Sequence, residues 1–82
     1  MKIVNEASVL QGSAVKIVDG CVPVRLVIRK IEGYHPFSTH KEEMSVVGND
    51  VVHSSFYDGR YFHSLEEALD DFNERTSRAY SL

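Results

Sequence analysis

The sequence predicts an α+β domain in which an antiparallel β-meander of four to five strands is packed by one C-terminal α-helix. Three observations predict it. Two Asp-Gly dipeptides, Asp19-Gly20 and Asp58-Gly59, stand between runs of β-branched and aromatic residues, as in two-residue hairpin loops whose central positions need φ > 0. Apolar and polar residues alternate across residues 14–31, the period of a strand. Only the stretch after Ser64 carries a helical period.

That stretch is organised by its start. Ser64 stands where an N-cap belongs and Glu67 follows three residues on, the spacing of a capping box. Leu65, Ala68, Leu69, Phe72, Ala79 and Tyr80 then recur on one face, which is expected to lie on the sheet. Glu66, Glu67, Asp70 and Asp71 fall toward the N-terminal half and Arg75 and Arg78 toward the end, which complements the helix macrodipole.

The strands are taken in chain order. Lys2-Ile3-Val4 suits a short edge strand, and Ala7 to Leu10 suits another strand or an irregular link before the turn at Gln11-Gly12-Ser13. Ala14 to Val18 and Cys21 to about Ile31 read as a hairpin around Asp19-Gly20, with Val18 opposite Cys21, Ile17 opposite Val22 and Val15 opposite Val24. Val15, Ile17, Val22, Val24, Leu26 and Ile28 then form a buried face, while Lys16, Pro23, Arg25, Val27 and Arg29 form a solvated one. Glu32 to Pro36 is a break, Phe37 to His40 a short strand, and Lys41-Glu42-Glu43 a charged turn or a short helical turn. Ser45 to Val47 is interrupted by Gly48-Asn49-Asp50 before Val51 to Tyr57 resumes. The second hairpin pairs Phe56 with Tyr61 and Tyr57 with Arg60 around Asp58-Gly59. No long crossover separates any two strands, so no parallel pair is expected.

At 82 residues the chain is expected to form a single domain, residues 1–82. Its 43% hydrophobic and 26% charged content is ordinary for a globular protein. Cys21 to Ile31 is too short and too charged to cross a bilayer as a helix. Met1-Lys2-Ile3-Val4 runs into Asn5 and Glu6 without a signal-peptide apolar region. The single cysteine, Cys21, fits a reducing compartment, and a cytoplasmic location with no membrane partner is the expectation. The net charge of −3 is uneven: five basic against three acidic residues in 1–36, four against nine in 37–82.

Candidate chemistry is sparse. His35, His40, His53 and His63 show neither H-x-x-x-H nor H-x-H spacing, and the expected register projects His53 and His63 on opposite faces, so no metal or other cofactor is expected. Cys21 follows a tight turn with no helix N-terminus or basic neighbour to activate it as a nucleophile. No catalytic residue is assigned and the protein is expected not to be an enzyme.

Two surfaces remain. The acidic run Glu66, Glu67, Asp70, Asp71 and Glu74 is read as the solvent side of an amphipathic helix, or as a strip that docks on a basic protein. Tyr57, Arg60 and Tyr61 at the expected hairpin tip complete that candidate protein-contact surface. The alternative is a nucleic-acid-binding face carried by Lys16, Arg25 and Arg29, set against the negative total charge and the lack of an RNP-like run.

The segment Ser64-Leu65-Glu66-Glu67-Ala68-Leu69 after an aromatic hairpin resembles the helix start of HicB-type antitoxins, although the Pro-Asp-x-Pro-Gly-Cys-like stretch of that family is missing. In size, charge and architecture the chain is similar to small accessory proteins of phages and mobile elements, anti-CRISPR inhibitors among them. That resemblance implies a protein that works by occupying a partner's binding surface, with the acidic helix face imitating nucleic-acid charge.

Overall fold

The structure is a computed structural model that describes residues 2–18 and 22–80. Its strands are β1 (Lys2–Ile3), β2 (Val9–Gly12), β3 (Lys16–Val18), β4 (Val22–Lys30), β5 (Phe37–Val47) and β6 (Asp50–Phe62), followed by the helix α1 (Leu65–Tyr80). All six belong to one sheet, ordered β1-β6-β5-β4-β2 with β3 also on β4. The pairing is antiparallel except for β1, which runs parallel to β6 with Lys2 opposite Asp50.

This corrects the expected meander. The sheet has six strands of mixed direction and curls through 309° into a half-barrel, with α1 packed against it. A parallel pair arises without a crossover helix because β1 and β6 are joined by most of the sheet itself. Strands β1 and β2 lie on opposite edges, yet only residues 4–8 connect them. So short a link reaches roughly 20 Å at full extension, so the sheet must curl to bring its two edges near each other. The link is held on both sides: Val4 N–H donates to the Val51 carbonyl at 2.9 Å, and Lys30 N–H donates to the Ser8 carbonyl at 2.9 Å.

The second hairpin is displaced. Its turn is Gly48-Asn49, between the paired residues Val47 and Asp50. Gly48, at φ 61, supplies the positive first position of a two-residue turn. Asp58-Gly59 lies inside β6 instead. The register steps from Thr39 opposite Arg60 to Lys41 opposite Tyr57, so Asp58 and Gly59 together face His40. This is a β-bulge, and the positive φ of Asp58 (54°) serves the bulge where a turn was expected. Phe56 therefore pairs with Glu42, not Tyr61. The charged turn expected at Lys41-Glu42-Glu43 is likewise continuous strand.

The first hairpin slips by one residue: Val18 faces Val22, Ile17 faces Pro23 and Lys16 faces Val24. Ile17, expected inside, is consequently exposed. The Asp19-Gly20 loop and Cys21 lie outside the described residues.

α1 begins as expected. Glu67 N–H donates to Ser64 Oγ at 3.2 Å, and Ser64 Oγ–H donates to Glu67 Oε1 at 3.1 Å. Ala68 and Phe72 pack on Leu26 and Ile28, flanked by Phe37, Phe62 and Leu69. Leu65 is exposed instead of buried, and Arg75 takes an unexpected place on the inner face. The side chains of Ala79 and Tyr80 lie outside the described residues.

α1 covers one face of the sheet only. On the other face Val27, Ser38 and Glu42 are nevertheless sealed at 0% exposure. The curl buries them, which is why β4 is buried on both faces and the expected solvated face of Pro23, Arg25 and Val27 is interior. This inner face is polar. Arg25 Nε donates to Glu42 Oε1 at 2.7 Å and His53 Nδ1 lies 2.8 Å from Glu42 Oε2. Arg25 Nη2 reaches Asn5 Oδ1 at 2.7 Å, and Arg29 Nε donates to Ser8 Oγ at 2.8 Å. Among the described residues every buried side-chain nitrogen or oxygen has a hydrogen-bond partner, as burial of polar groups requires.

Candidate functional site

A groove of about 510 Å³ opens between the sheet and the C-terminal half of α1. Six cationic residues line it: Lys16, Arg25, Lys41, Arg60, Arg75 and Arg78. Asp58 and Tyr57 join them, and Val24 and Leu26 supply apolar wall. The elements dictate this set. Lys41, Tyr57 and Arg60 share the helix-side face because Lys41 pairs with Tyr57 and Thr39 with Arg60. Arg75 and Arg78 come from the basic end of α1, where cations are favoured.

The bulge organises the cations. Asp58 Oδ2 lies 3.2 Å from Lys41 Nζ and 3.1 Å from Arg75 Nη2. The Asp58 carbonyl accepts a further bond from Arg75 Nη2 at 3.0 Å. The hydrogen bond and charge of Lys41, joined by the charges of Arg75 and Arg60, hold the Asp58 carboxyl below the usual carboxylate range. Arg75 Nη1 donates to Thr39 Oγ1 at 3.0 Å, and Thr39 Oγ1 donates to Asp71 Oδ2 at 2.6 Å. Asp71 Oδ1 accepts from Arg60 Nη1 at 2.8 Å, which raises the Arg60 guanidinium above its ordinary value. At the groove mouth Arg78 pairs with Glu74 at 3.4 Å across one helical turn.

Burial ranks these groups. Arg75 is buried and fixed by Thr39 and Asp58. The side chains of Lys41, Arg60 and Arg78 are 42%, 47% and 61% exposed, so their ion pairs are solvent-screened and each contributes little. Tyr57 presents an exposed ring beside them.

The acidic residues divide. Glu66, Glu67, Asp70 and Glu74 are exposed on the outer side of α1. Asp71 is half-buried and ties the helix to Thr39 and Arg60. Tyr57, Arg60 and Tyr61 are mid-strand, not at a tip, and they part: Tyr57 and Arg60 border the groove, whereas Tyr61 lies on the opposite face with its Oη 3.3 Å from His40 Nε2. Lys16, Arg25 and Arg29 do not form one surface. Lys16 lines the groove, Arg25 is buried on Glu42, and the Arg29 guanidinium stacks 3.9 Å over the Phe56 ring. The expected solvated face is thus corrected at Arg25, which the curl buries, while Arg29 is half-buried.

The histidines scatter into three settings. His40 is buried, with Nδ1 3.1 Å from Ser38 Oγ; burial, aided by the charges of Arg29 and Arg75, pushes its pKa down. His53 rests on Glu42. His35 and His63 meet with ring centroids 4.1 Å apart, each edge-on to Tyr34 at 5.0 and 4.8 Å. Among the described residues no three potential metal ligands converge, and no helix is long and apolar enough to cross a membrane.

Sequence reasoning missed Lys41, Asp58, Arg75 and Arg78 as neighbours. The usable signal was Asp-Gly, which marks a positive φ in a bulge as well as in a turn. Comparisons with protein families, curated proteins and solved structures find no match to this chain.

Proposed function

We propose that this is a non-catalytic protein-binding domain that docks through the outer side of α1. The observation that carries the reading is the strip Glu66, Glu67, Asp70 and Glu74, four exposed carboxylates on one rigid, capped helix. Tyr57 and Arg60 flank it across Asp71 and add an aromatic and a cationic contact of the kinds favoured at interfaces. In its sharpest form the domain is a phage-type inhibitor. Its strip imitates phosphate charge and occupies the basic surface of a host nucleic-acid-handling complex. Asp71 is left out of the contact set, since it already anchors the helix to the sheet.

The test immobilises the intact protein and a variant with Glu66→Gln, Glu67→Gln, Asp70→Asn and Glu74→Gln, and exposes both to a cell extract at low salt. The wild type should retain a nucleic-acid-handling protein that excess duplex DNA releases, and the variant should not. Equal retention by the two proteins, or retention indifferent to DNA, would overturn the reading. The alternative nucleic-acid face built on Lys16, Arg25 and Arg29 is set aside, because Arg25 is buried on Glu42, the half-buried Arg29 is held by Ser8 and Phe56, and Lys16 lies in the groove, so the three share no surface.

A further inference from the structure

We infer that the groove between the sheet and the C-terminal half of α1 is a binding site for a nucleotide unit. Lys41, Arg60 and Arg78 would hold its phosphate, and the base would lie on Tyr57. This site adjoins the acidic strip, meeting it at the Glu74–Arg78 pair and sharing Tyr57 and Arg60 with its flank, but its ligand is bound by cations and not by the carboxylates.

Four observations converge. The first is local charge reversal: the formal net charge of the chain is −3, yet Lys16, Lys41, Arg60, Arg75 and Arg78 line the groove against the one lining carboxylate of Asp58, the sixth lining cation, Arg25, being neutralised by the buried Glu42. Asp71 and Glu74 at its border offset only part of that excess. The second is availability. Lys41 and Arg78 sit in exposed, solvent-screened ion pairs, and the Arg60 guanidinium, 47% exposed beside the half-buried Asp71, still has donors free of that contact, so a phosphate can recruit them without disturbing the buried Arg75. Arginine guanidinium groups match phosphate oxygens in geometry as well as charge.

The third is shape. About 510 Å³ falls within the range of small-ligand sites, roughly 300–1,000 Å³. An exposed tyrosine ring on its wall offers a stacking platform of the kind that single-stranded nucleic acids use. The fourth is construction. Asp58 is held at a positive φ within a bulge, and its carboxylate and carbonyl both fix Arg75 at the groove. Bulges of this kind re-aim side chains next to functional sites.

The ligand is short. The N-terminal half of the same helix carries Glu66, Glu67 and Asp70, which would repel an extended duplex. A free nucleotide and a nucleotide within a single strand share the required chemistry, and the experiment separates them.

The intact protein is titrated at low ionic strength with a fluorescein-labelled oligothymidylate, with adenosine monophosphate and with inorganic phosphate. Oligothymidylate or adenosine monophosphate should bind, and Lys41→Gln/Arg78→Gln should weaken binding at least tenfold. Against log salt, the oligothymidylate slope should become shallower by about 1.4 when these two phosphate contacts are lost. Tyr57→Leu should weaken the two nucleotide probes and leave inorganic phosphate unaffected. Both variants alter exposed side chains, and an unchanged urea midpoint verifies their fold. Equal affinity for the monophosphate and the oligonucleotide assigns a free nucleotide; preference for the oligonucleotide assigns a strand. The inference is overturned if neither nucleotide probe binds, if Lys41→Gln/Arg78→Gln binds as the wild type does, or if Tyr57→Leu leaves nucleotide binding unchanged.

Discussion

Arg25 Nε donates to Glu42 Oε1 at 2.7 Å in a place where Glu42 is wholly sealed from solvent and Arg25 is 5% exposed. Each charge there is tolerable only because the other is present. Glu42→Ala strands the guanidinium and should cost about 3–5 kcal/mol. A chain of 82 residues is expected to have a total stability of about 4–12 kcal/mol. The loss is therefore a large share, and urea unfolding should show a sharply lowered midpoint. Replacing both partners, as Arg25→Met with Glu42→Leu, should restore most of it, since apolar residues of similar volume remove the desolvation cost. A double variant no more stable than Glu42→Ala would contradict this account.

Gly59 is set by space. A Cβ placed there would run into the His40 ring, with Cδ2 at 2.8 Å. Gly59→Ala should destabilise by about 1–3 kcal/mol through overpacking. In a His40→Ala background the same change should be nearly neutral, so a double-mutant cycle measured by urea unfolding should give a coupling close to the single-site cost.

His40 also makes stability depend on pH. Burial, with the charges of Arg29 and Arg75, lowers its pKa in the folded protein relative to its ordinary value. The unfolded chain therefore binds the proton more readily, and stability rises with pH between the folded and unfolded pKa values. The contribution is fully present above the unfolded value, about 6.5, and is lost as pH falls toward the folded one. Urea midpoints taken from pH 7.5 downward should decline, and His40→Gln should decline less steeply. Parallel profiles would show that His40 does not carry the effect.

Ser64 accepts the Glu67 N–H at 3.2 Å and opens α1. Ser64→Ala should lower stability by about 1 kcal/mol, and Ser64→Asp should retain most of it, because an aspartate caps equally well. Thermal melts followed by far-UV circular dichroism will report both. A Ser64→Ala melt indistinguishable from wild type would deny the cap its role.

The helix was legible because its start is chemical and local: Ser64 and Glu67 specify a cap at fixed spacing, and Ala68 and Phe72 follow at helical period. The face of β4 bearing Leu26 and Ile28 was legible for the same reason. What escaped was whatever depends on the curl. Alternation cannot distinguish a solvated face from a polar interior, so it casts Arg25, Val27 and Glu42 as surface or turn although all three are buried. Asp58-Gly59 and Gly48-Asn49 both offer positive φ, and only the pairing of β5 with β6 decides which is the turn. The groove joins residues from five elements, β3, β4, β5, β6 and α1, and no local pattern links Lys16, Lys41, Arg60 and Arg78.

The link at residues 4–8 carries a consequence for the order of assembly. Strands β4, β5 and β6 follow one another and can zip together with α1 by successive local steps. β2 can pair with the nearby β4 early, whereas β1 has no edge to join until β6 is in place. The earliest strand in the chain is thus the last that can dock, and the polar interior stays wet until it does. Non-local closure of this kind slows folding. The barrel is finished by its first residues, as a clasp is fastened only after the band is around the wrist.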